Sequence, residues 1–201
     1  MPRTAVVIIA IVAAIAGSLF FFTQQPEVAA PVVVEPVVVA EAPAAAIQVA
    51  FELDGLDGNK RQFSEWDGKH RIVNFWATWC APCRREIPLL KSFQDQHGAD
   101  DFQVIGIAVE FPEPVIAYAE ETQFNYPILV GEQDAMAVAE SSGISFIGLP
   151  FTMLVTKDGT LVGAHMGEIH QQHLDDIVSV MTQLDSAEIS IEDARIALDL
   201  M

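Results

Sequence analysis

Positive charge is what this chain has least of. Ten Lys and Arg stand against 28 Asp and Glu in 201 residues, a formal net charge of −18. Phosphate backbones are bound by clustered Lys and Arg, so nucleic acid is excluded as a partner class. An acidic surface of this kind confers solubility and repels acidic partners. Cysteine is scarcer still: Cys80 and Cys83 are the only two. A framework of several disulfide bridges is therefore excluded. So is the second CxxC pair from which most structural zinc sites are completed. The five histidines are scattered, and the expectation is neither a metal nor a cofactor.

Long apolar runs are few as well, and one stands apart. Ala5 to Phe22, "AVVIIAIVAAIAGSLFFF", carries no charge. As a helix rising about 1.5 Å per residue it spans roughly 27 Å, close to the ~30 Å hydrocarbon core of a bilayer. Arg3 lies just before it and sets a positive-inside bias. The pattern predicts a cytoplasmic tip at 1–4 and a transmembrane anchor at 5–22. A cleaved signal peptide is the rival reading. "AIAG" at 14–17 offers small residues to a peptidase, but Leu19 to Phe22 carry the apolar run past them. Length favours the uncleaved anchor. Under both readings the remainder is exported into a compartment where disulfides persist. Residues 23–46 then place prolines at 26, 31, 36 and 43 among valines and alanines. Prolines this frequent remove ladder donors and prevent a central strand. This is expected to be a spacer reaching on the order of 75 Å at about 3.1 Å per residue.

From Ile47 the pattern becomes that of a packed α/β domain. "VAFELDGLDGNKRQF" predicts a β-hairpin, with Asp54-Gly55 and Asp57-Gly58 as turn signals. "RIVNFWA" (71–77) is a nearly continuous apolar run, as a buried central strand requires. A helix is predicted from Ala81 to about His97, with Pro82 in its first turn and Pro88 inside it. Next come a strand at 102–109, a helix at 114–123 opened by Pro114, a strand at "YPILVG", and a helix at 133–142 stopped by Gly143. "FTMLVT" and "LVGAHMG" flank "KDG" as an antiparallel hairpin, and a last helix covers about His170 to Leu184. Helices alternating with buried strands, closed by a hairpin, indicate a mixed central sheet flanked by helices. The acidic segment 185–201 alternates apolar and charged residues at helical spacing, and is expected to pack back on the domain or to meet a partner.

Cys80 and Cys83 admit three readings. Zinc lacks ligands. A structural disulfide closing so small a ring contributes about 2 kcal/mol by loop entropy, against roughly 3 for a 15-residue loop, and is a poor staple for a domain with a core. The redox reading explains more. A CxxC at a strand-to-helix junction puts the first sulfur beside the unpaired N–H groups of the helix start, which stabilise a thiolate. The second sulfur then lies within reach to resolve a mixed disulfide. Cys80 is thus the expected attacking thiol and Cys83 the resolving one. Glu86 lies one helical turn beyond Cys83 on the same face, placed to take its proton.

At this point a resemblance becomes specific. "VNFWATWCAPC" resembles the active-site strand and turn of the thioredoxin superfamily. "WCAPCRREIP", the N-terminal hairpin, the extra strand–helix at 102–123 and the anchor together resemble the membrane-tethered TlpA/ResA-type thiol–disulfide reductases. The likeness covers about residues 47–184. It implies a thioredoxin-like fold with an N-terminal hairpin and an inserted strand–helix. "FIGLPFTMLVTKDG" matches the superfamily's proline loop, which implies that Pro150 is cis beside the cysteines and that the backbone of Leu149 pairs with substrate. The family has a glutamate where Glu86 stands. Thioredoxins proper often carry a buried acid where this chain has Asn74, leaving Glu86 the nearest proton acceptor in sequence. Trp79 is expected to flank Cys80 at the surface, and Trp76 to pack inward. Arg84 and Arg85 are expected to be exposed. Phe151 departs from the small hydroxylated residues common after the proline, and is expected beside the substrate groove, where it narrows or redirects substrate choice.

The resemblance implies a periplasmic, inner-membrane-anchored oxidoreductase that reduces disulfides of exported proteins. Its substrates would be the haem-attachment cysteines of apocytochrome c or the copper-site cysteines of an oxidase subunit. Electrons would come from a membrane thiol–disulfide transporter. A peroxidase on the same fold wants a threonine three residues before its cysteine and a proline four before that, where this chain has Ala77 and a non-proline residue. A copper chaperone or redox-independent binding module is the other alternative, drawing on His165, Met166, His170 and His173 ("HMGEIHQQH").

Overall fold

The computed structural model describes residues 46–200. The anchor expected at 5–22 and the spacer at 23–46, apart from Ala46, lie outside the described residues. Among the described residues no helix is long and apolar enough to cross a membrane.

In chain order the elements are β1 (Glu52–Gly55), β2 (Lys60–Gln62), a 3-10 turn (Phe63–Trp66), β3 (His70–Trp76), α1 (Ala81–His97), β4 (Phe102–Val109) and α2 (Pro112–Thr122). There follow β5 (Ile128–Gly131), α3 (Gln133–Glu140), β6 (Phe151–Val155), β7 (Leu161–Met166), α4 (Gln171–Asp185) and α5 (Ile191–Ala197). The strands form one sheet in the order β2-β1-β5-β4-β3-β6-β7. The three inner strands β3, β4 and β5 run parallel, while β6 lies antiparallel on β3, β7 on β6 and β1 on β5.

Helices cover both faces of the sheet, and β3 shows why its sequence reads as unbroken apolar. All seven of its residues are buried, because a strand roofed on both sides has no wet face. Alternation still assigns the sides. Ile72 and Trp76 join the core packed under α1 and α4, whereas Val73 and Phe75 join the core under α3 and the N-terminal hairpin. Arg71 enters this strand without exposure. Its Nη1 donates to the carbonyls of Trp66, Lys69 and Lys157 at 3.2, 2.8 and 3.0 Å, and the guanidinium lies over the Phe63 ring. A buried cation persists only with such compensation.

α1 begins at Cys80 as its N-cap, with proline in the first turn. It continues past Pro88 to His97 and buries Cys83, Glu86, Ile87, Leu90 and Phe93, the stripe of a helix lying on a sheet. Past α4, α5 folds onto β7: Ala194 is fully buried, and Arg195 Nε donates to the Val162 carbonyl at 2.8 Å.

Several boundaries differ from the sequence reading, two of them for reasons the pairing and the prolines explain. Asp54-Gly55 does not turn the first hairpin; both residues end β1, where Asp54 pairs with Lys60 on one side and Val130 on the other. The reversal is made by 56–59, with Gly58 at φ +75° and its N–H on the Gly55 carbonyl. Sheet pairing on both edges overrides the local turn signal. Likewise α2 opens at Pro112, not Pro114. Both prolines fall in the first turn, where no N–H is needed, so either can start the helix.

Gly106 marks a close approach at the centre of the sheet. It pairs with Asn74 across β3 and β4. A Cβ there would meet Ile128 Cδ1 at 2.7 Å and Trp76 Nε1 at 3.1 Å. Gly106→Ala is expected to lower unfolding free energy by about 1–3 kcal/mol through overpacking. Urea denaturation of the two proteins checks this, and equal midpoints would contradict it.

Candidate active site

The turn after β3 carries Trp79 to the surface, where it is 68% exposed, and leaves Cys80 5% exposed beside it. Cys80 and Cys83 are joined as a disulfide with Cα atoms 5.3 Å apart. Cys80 Sγ accepts the Cys83 N–H at 3.3 Å, so the sulfur expected to attack caps the helix start. Cys83 is fully buried. The turn is gripped from the end of β4: the Glu110 carboxylate accepts both the N–H and the hydroxyl of Thr78, at 2.9 and 2.8 Å. The Leu149–Pro150 bond is cis. Phe151 pairs with Phe75 across β6 and β3, so Leu149 and Pro150 lie at the strand end from which the Cys80 turn departs. Leu149 is half-buried against both cores.

Under the disulfide, one turn along α1, Glu86 is 1% exposed. Its two oxygens have different partners. Asn74 Nδ2, from β3, donates to Oε1 at 2.8 Å, and the Ile169 N–H, from the β7–α4 loop, donates to Oε2 at 2.7 Å. Burial pushes the Glu86 carboxyl up to about 7, against the two donors that favour its ionised form, and the Glu168 charge pushes the same way as burial. The β7–α4 loop is stitched to the preceding residue of α1 too: Arg85 Nε donates to Glu168 Oε2 at 3.0 Å. Arg85 is exposed and Glu168 partly so, and such a pair contributes little by itself. Its effect is positional, holding the strand of backbone that carries Ile169. The Gly167 N–H on the Pro150 carbonyl at 3.0 Å ties the loop to the cis bond as well.

The structure thus brings together Cys80, Cys83, Glu86, Trp79, Leu149 and Pro150 at one end of the sheet. Arg84 and Arg85 are both exposed, as expected, and Arg85 is paired with Glu168. One expectation is overturned. Phe151 does not stand beside a groove; it is fully buried on the far face of the sheet, with its ring centroid 5.7 Å from Phe75 and 5.4 Å from Phe146. Strand alternation makes Thr152, not Phe151, the residue on the cysteine side. Thr152 Oγ1 accepts from Asn74 Nδ2 at 3.0 Å.

The sequence reading missed Thr152, Ile169 and the Thr78–Glu110 grip. Alternation from Phe75 through the paired strand was a usable signal for Thr152. Ile169 acts through its backbone and leaves none. The histidines are near one another, with 4.7 Å between the His165 and His173 rings, but His173 Nδ1 is already occupied by the His170 N–H that opens α4. Among the described residues no group of three or more His, Cys, Asp or Glu side chains is arranged to hold a metal.

The raised Glu86 group has a consequence for stability. Its folded value lies above the ordinary carboxylate value, so folding favours the protonated form. The stabilisation is complete below about pH 4.5 and is lost as pH rises through about 7. Relative to Glu86→Gln, the native protein is expected to lose about 3 kcal/mol between pH 4 and 8. Parallel denaturation curves of both proteins at each pH measure this, and a constant difference between them would contradict it.

Comparison with known proteins agrees with this geometry. A family model described as "AhpC/TSA family" matches residues 43–164. The thiol-disulfide oxidoreductase ResA of Geobacillus kaustophilus is 30% identical over 182 residues, covering 87% of this chain and 94% of that protein. The thioredoxin-like protein YneN of Bacillus subtilis is 28% identical, over 62% of this chain and 72% of that one. A solved thiol:disulfide interchange protein of the thioredoxin family, from Chlorobium tepidum, superposes with a TM-score of 0.61 at 27% identity, over 71% of this chain and 98% of its own. A CxxC disulfide capping the first helix of this sheet, in a chain with these relatives, places the protein in the AhpC/TSA family as a thioredoxin-like thiol–disulfide oxidoreductase of the ResA type.

Proposed function

We propose that the protein is anchored in the inner membrane, faces the periplasm, and reduces disulfides in exported proteins. In the reduced enzyme Cys80 attacks one sulfur of the substrate disulfide, forming a mixed disulfide and releasing the first substrate thiolate. Glu86 takes the proton from Cys83, and the Cys83 thiolate attacks Cys80 Sγ. The Cys80–Cys83 bond forms, the substrate's second sulfur leaves as a thiolate, and two electrons have passed from enzyme to substrate. The Leu149 backbone aligns the substrate chain, and Trp79 supplies an apolar contact beside the reacting sulfur. A membrane thiol–disulfide transporter returns the electrons.

The observation that supports this reading is a buried carboxyl one helical turn beyond Cys83, held by Asn74 and the Ile169 N–H and pushed up by burial to about 7. A general base works best with its midpoint near the working pH, and a merely solvated helix glutamate has no cause for such a shift. By the family resemblance, the substrates are haem-attachment cysteines of apocytochrome c or copper-site cysteines of an oxidase subunit. The copper-chaperone alternative gains no observation in its favour, since His173 spends its Nδ1 on α4.

Cys83→Ser removes the resolving thiol and should trap the substrate on Cys80. Expressed as the full chain, this variant is expected to accumulate covalent adducts with cysteine-pair proteins of the exported fraction, reversed by reductant and absent from the Cys80→Ser, Cys83→Ser double variant. Mass spectrometry of the adducts checks both substrate classes. Adducts confined to cytoplasmic proteins, or none at all, would count against the proposal.

A further inference from the structure

Glu86 poses a problem that the exchange chemistry leaves open. A carboxyl with no access to water must exist both charged and neutral, and each form wants opposite partners. An ionised carboxylate only accepts hydrogen bonds, whereas a carboxylic acid must also donate one. The Ile169 N–H serves either form, because one oxygen accepts in both. The other oxygen faces Asn74, itself 1% exposed, whose amide can present either an N–H or a carbonyl.

As it stands, Asn74 Nδ2 donates to Glu86 Oε1 and to Thr152 Oγ1, while Oδ1 is buried with no partner. This arrangement matches a charged Glu86. Turning the amide by half a rotation would direct Oδ1 at the same two neighbours. Opposite a carboxylate that is repulsive. Opposite a carboxylic acid it is a good acceptor, and Thr152, a hydroxyl that both accepts and donates, can turn its own O–H toward Oδ1. The atom turned away from these neighbours lies where Oδ1 now has no partner, so the cost of burying it falls on either orientation. The pair of neighbours therefore selects the amide orientation according to whether Glu86 holds its proton.

We propose that Asn74, backed by the Thr152 hydroxyl, is a positioning residue that turns over with the charge on Glu86 and so lets this carboxyl gain and lose a proton in place. The inference rests on the reading of Glu86 as the base for Cys83. In the resolving step the proton passes from Cys83 Sγ to Glu86, the amide turns, and the Cys83 thiolate is free to attack Cys80. When the enzyme is next reduced, Cys83 leaves the disulfide as a thiolate and takes this proton back from Glu86, and the amide turns back. The other groups that face Glu86 cannot do this. Cys83 is the proton donor, Glu168 is held outward by Arg85, and Tyr126 carries a phenol pushed up by burial and by the Glu86 charge, so it stays neutral throughout. Thioredoxins with an acid at the Asn74 position would have charge there; an amide gives a hydrogen-bond switch without a second titrating group.

The test reads Glu86 directly, in the oxidised full-length protein, by NMR with carboxyl-labelled glutamate. The Glu86 signal is the one that vanishes in Glu86→Gln. In the unmutated protein the two Asn74 side-chain N–H signals are expected to shift with the same midpoint as the Glu86 carboxyl. Amide signals that stay constant through that titration overturn the proposal. In Asn74→Leu the carboxylate loses one donor, so the Glu86 midpoint is expected to rise by about one unit. The pH limb of mixed-disulfide resolution should move up with it while the high-pH plateau keeps its height; a merely structural role would lower the rate equally at every pH. Asn74→Asp, nearly the same size, covers the case in which the leucine variant does not fold. Two carboxyls then share a proton, and the upper step should exceed the native midpoint. An unmoved midpoint in either folded variant overturns the relay. Because these shifts are read without turnover, they would persist if Glu86 proved idle in catalysis, and the two failures can be told apart.

Discussion

A carboxyl group held out of water beneath a reactive disulfide is the constraint around which this domain is arranged. Glu86 is 1% exposed, and a bare carboxylate in that position would be prohibitive. Two donors from distant parts of the chain make it tolerable: an amide on the central strand and a backbone N–H from the loop that enters α4. Neither donor is free to wander. Asn74 is fixed by a strand buried on both faces, and Ile169 by a loop pinned to Arg85 on one side and to the Pro150 carbonyl on the other. The partial compensation leaves the group near 7. Full compensation would return it to the ordinary carboxylate range, and none would keep it neutral at any useful pH. An exchange enzyme needs the intermediate case, and a mixture of burial and two hydrogen bonds supplies it.

Under the proposed mechanism, the same region separates substrate access from proton handling. Trp79, Leu149 and the nearly covered Cys80 lie toward the surface, while Cys83, Glu86, Asn74 and Thr152 lie beneath it. Thr78 is clamped by Glu110, which holds the turn before Cys80 independently of the acid below. Strand alternation then decides which residue after the cis-proline joins the polar cluster and which joins the apolar core. Phe151 fills the far core and Thr152 completes the polar cluster. A single register step would exchange them and put a phenyl ring against a carboxylate.

Much of this was legible in the sequence, for reasons that are local. The CxxC turn, α1 to His97, the seven-residue run of β3, and the β6–β7 hairpin around "KDG" each follow from patterns within a few residues. Glu86 was legible because helical spacing alone puts it on the face of Cys83. What could not be read depends on pairing between segments far apart. Asp54-Gly55 looks like a turn until β5 is known to pair with it. Phe151 looks like a groove residue until its register with Phe75 is known. The Ile169 donor sits 83 residues from its acceptor and acts through a backbone group that every residue but proline possesses.

The most direct measurement is the rate at which a small thiol, preloaded as a mixed disulfide on Cys80, is expelled by Cys83. It would be followed from pH 5 to 9 in the native protein and in Glu86→Gln. The native rate is expected to rise through a midpoint at about 7, and the variant to lose this midpoint and be about a hundredfold slower near neutrality. Superimposable profiles would contradict it, because the buried carboxyl would then have no part in moving the proton.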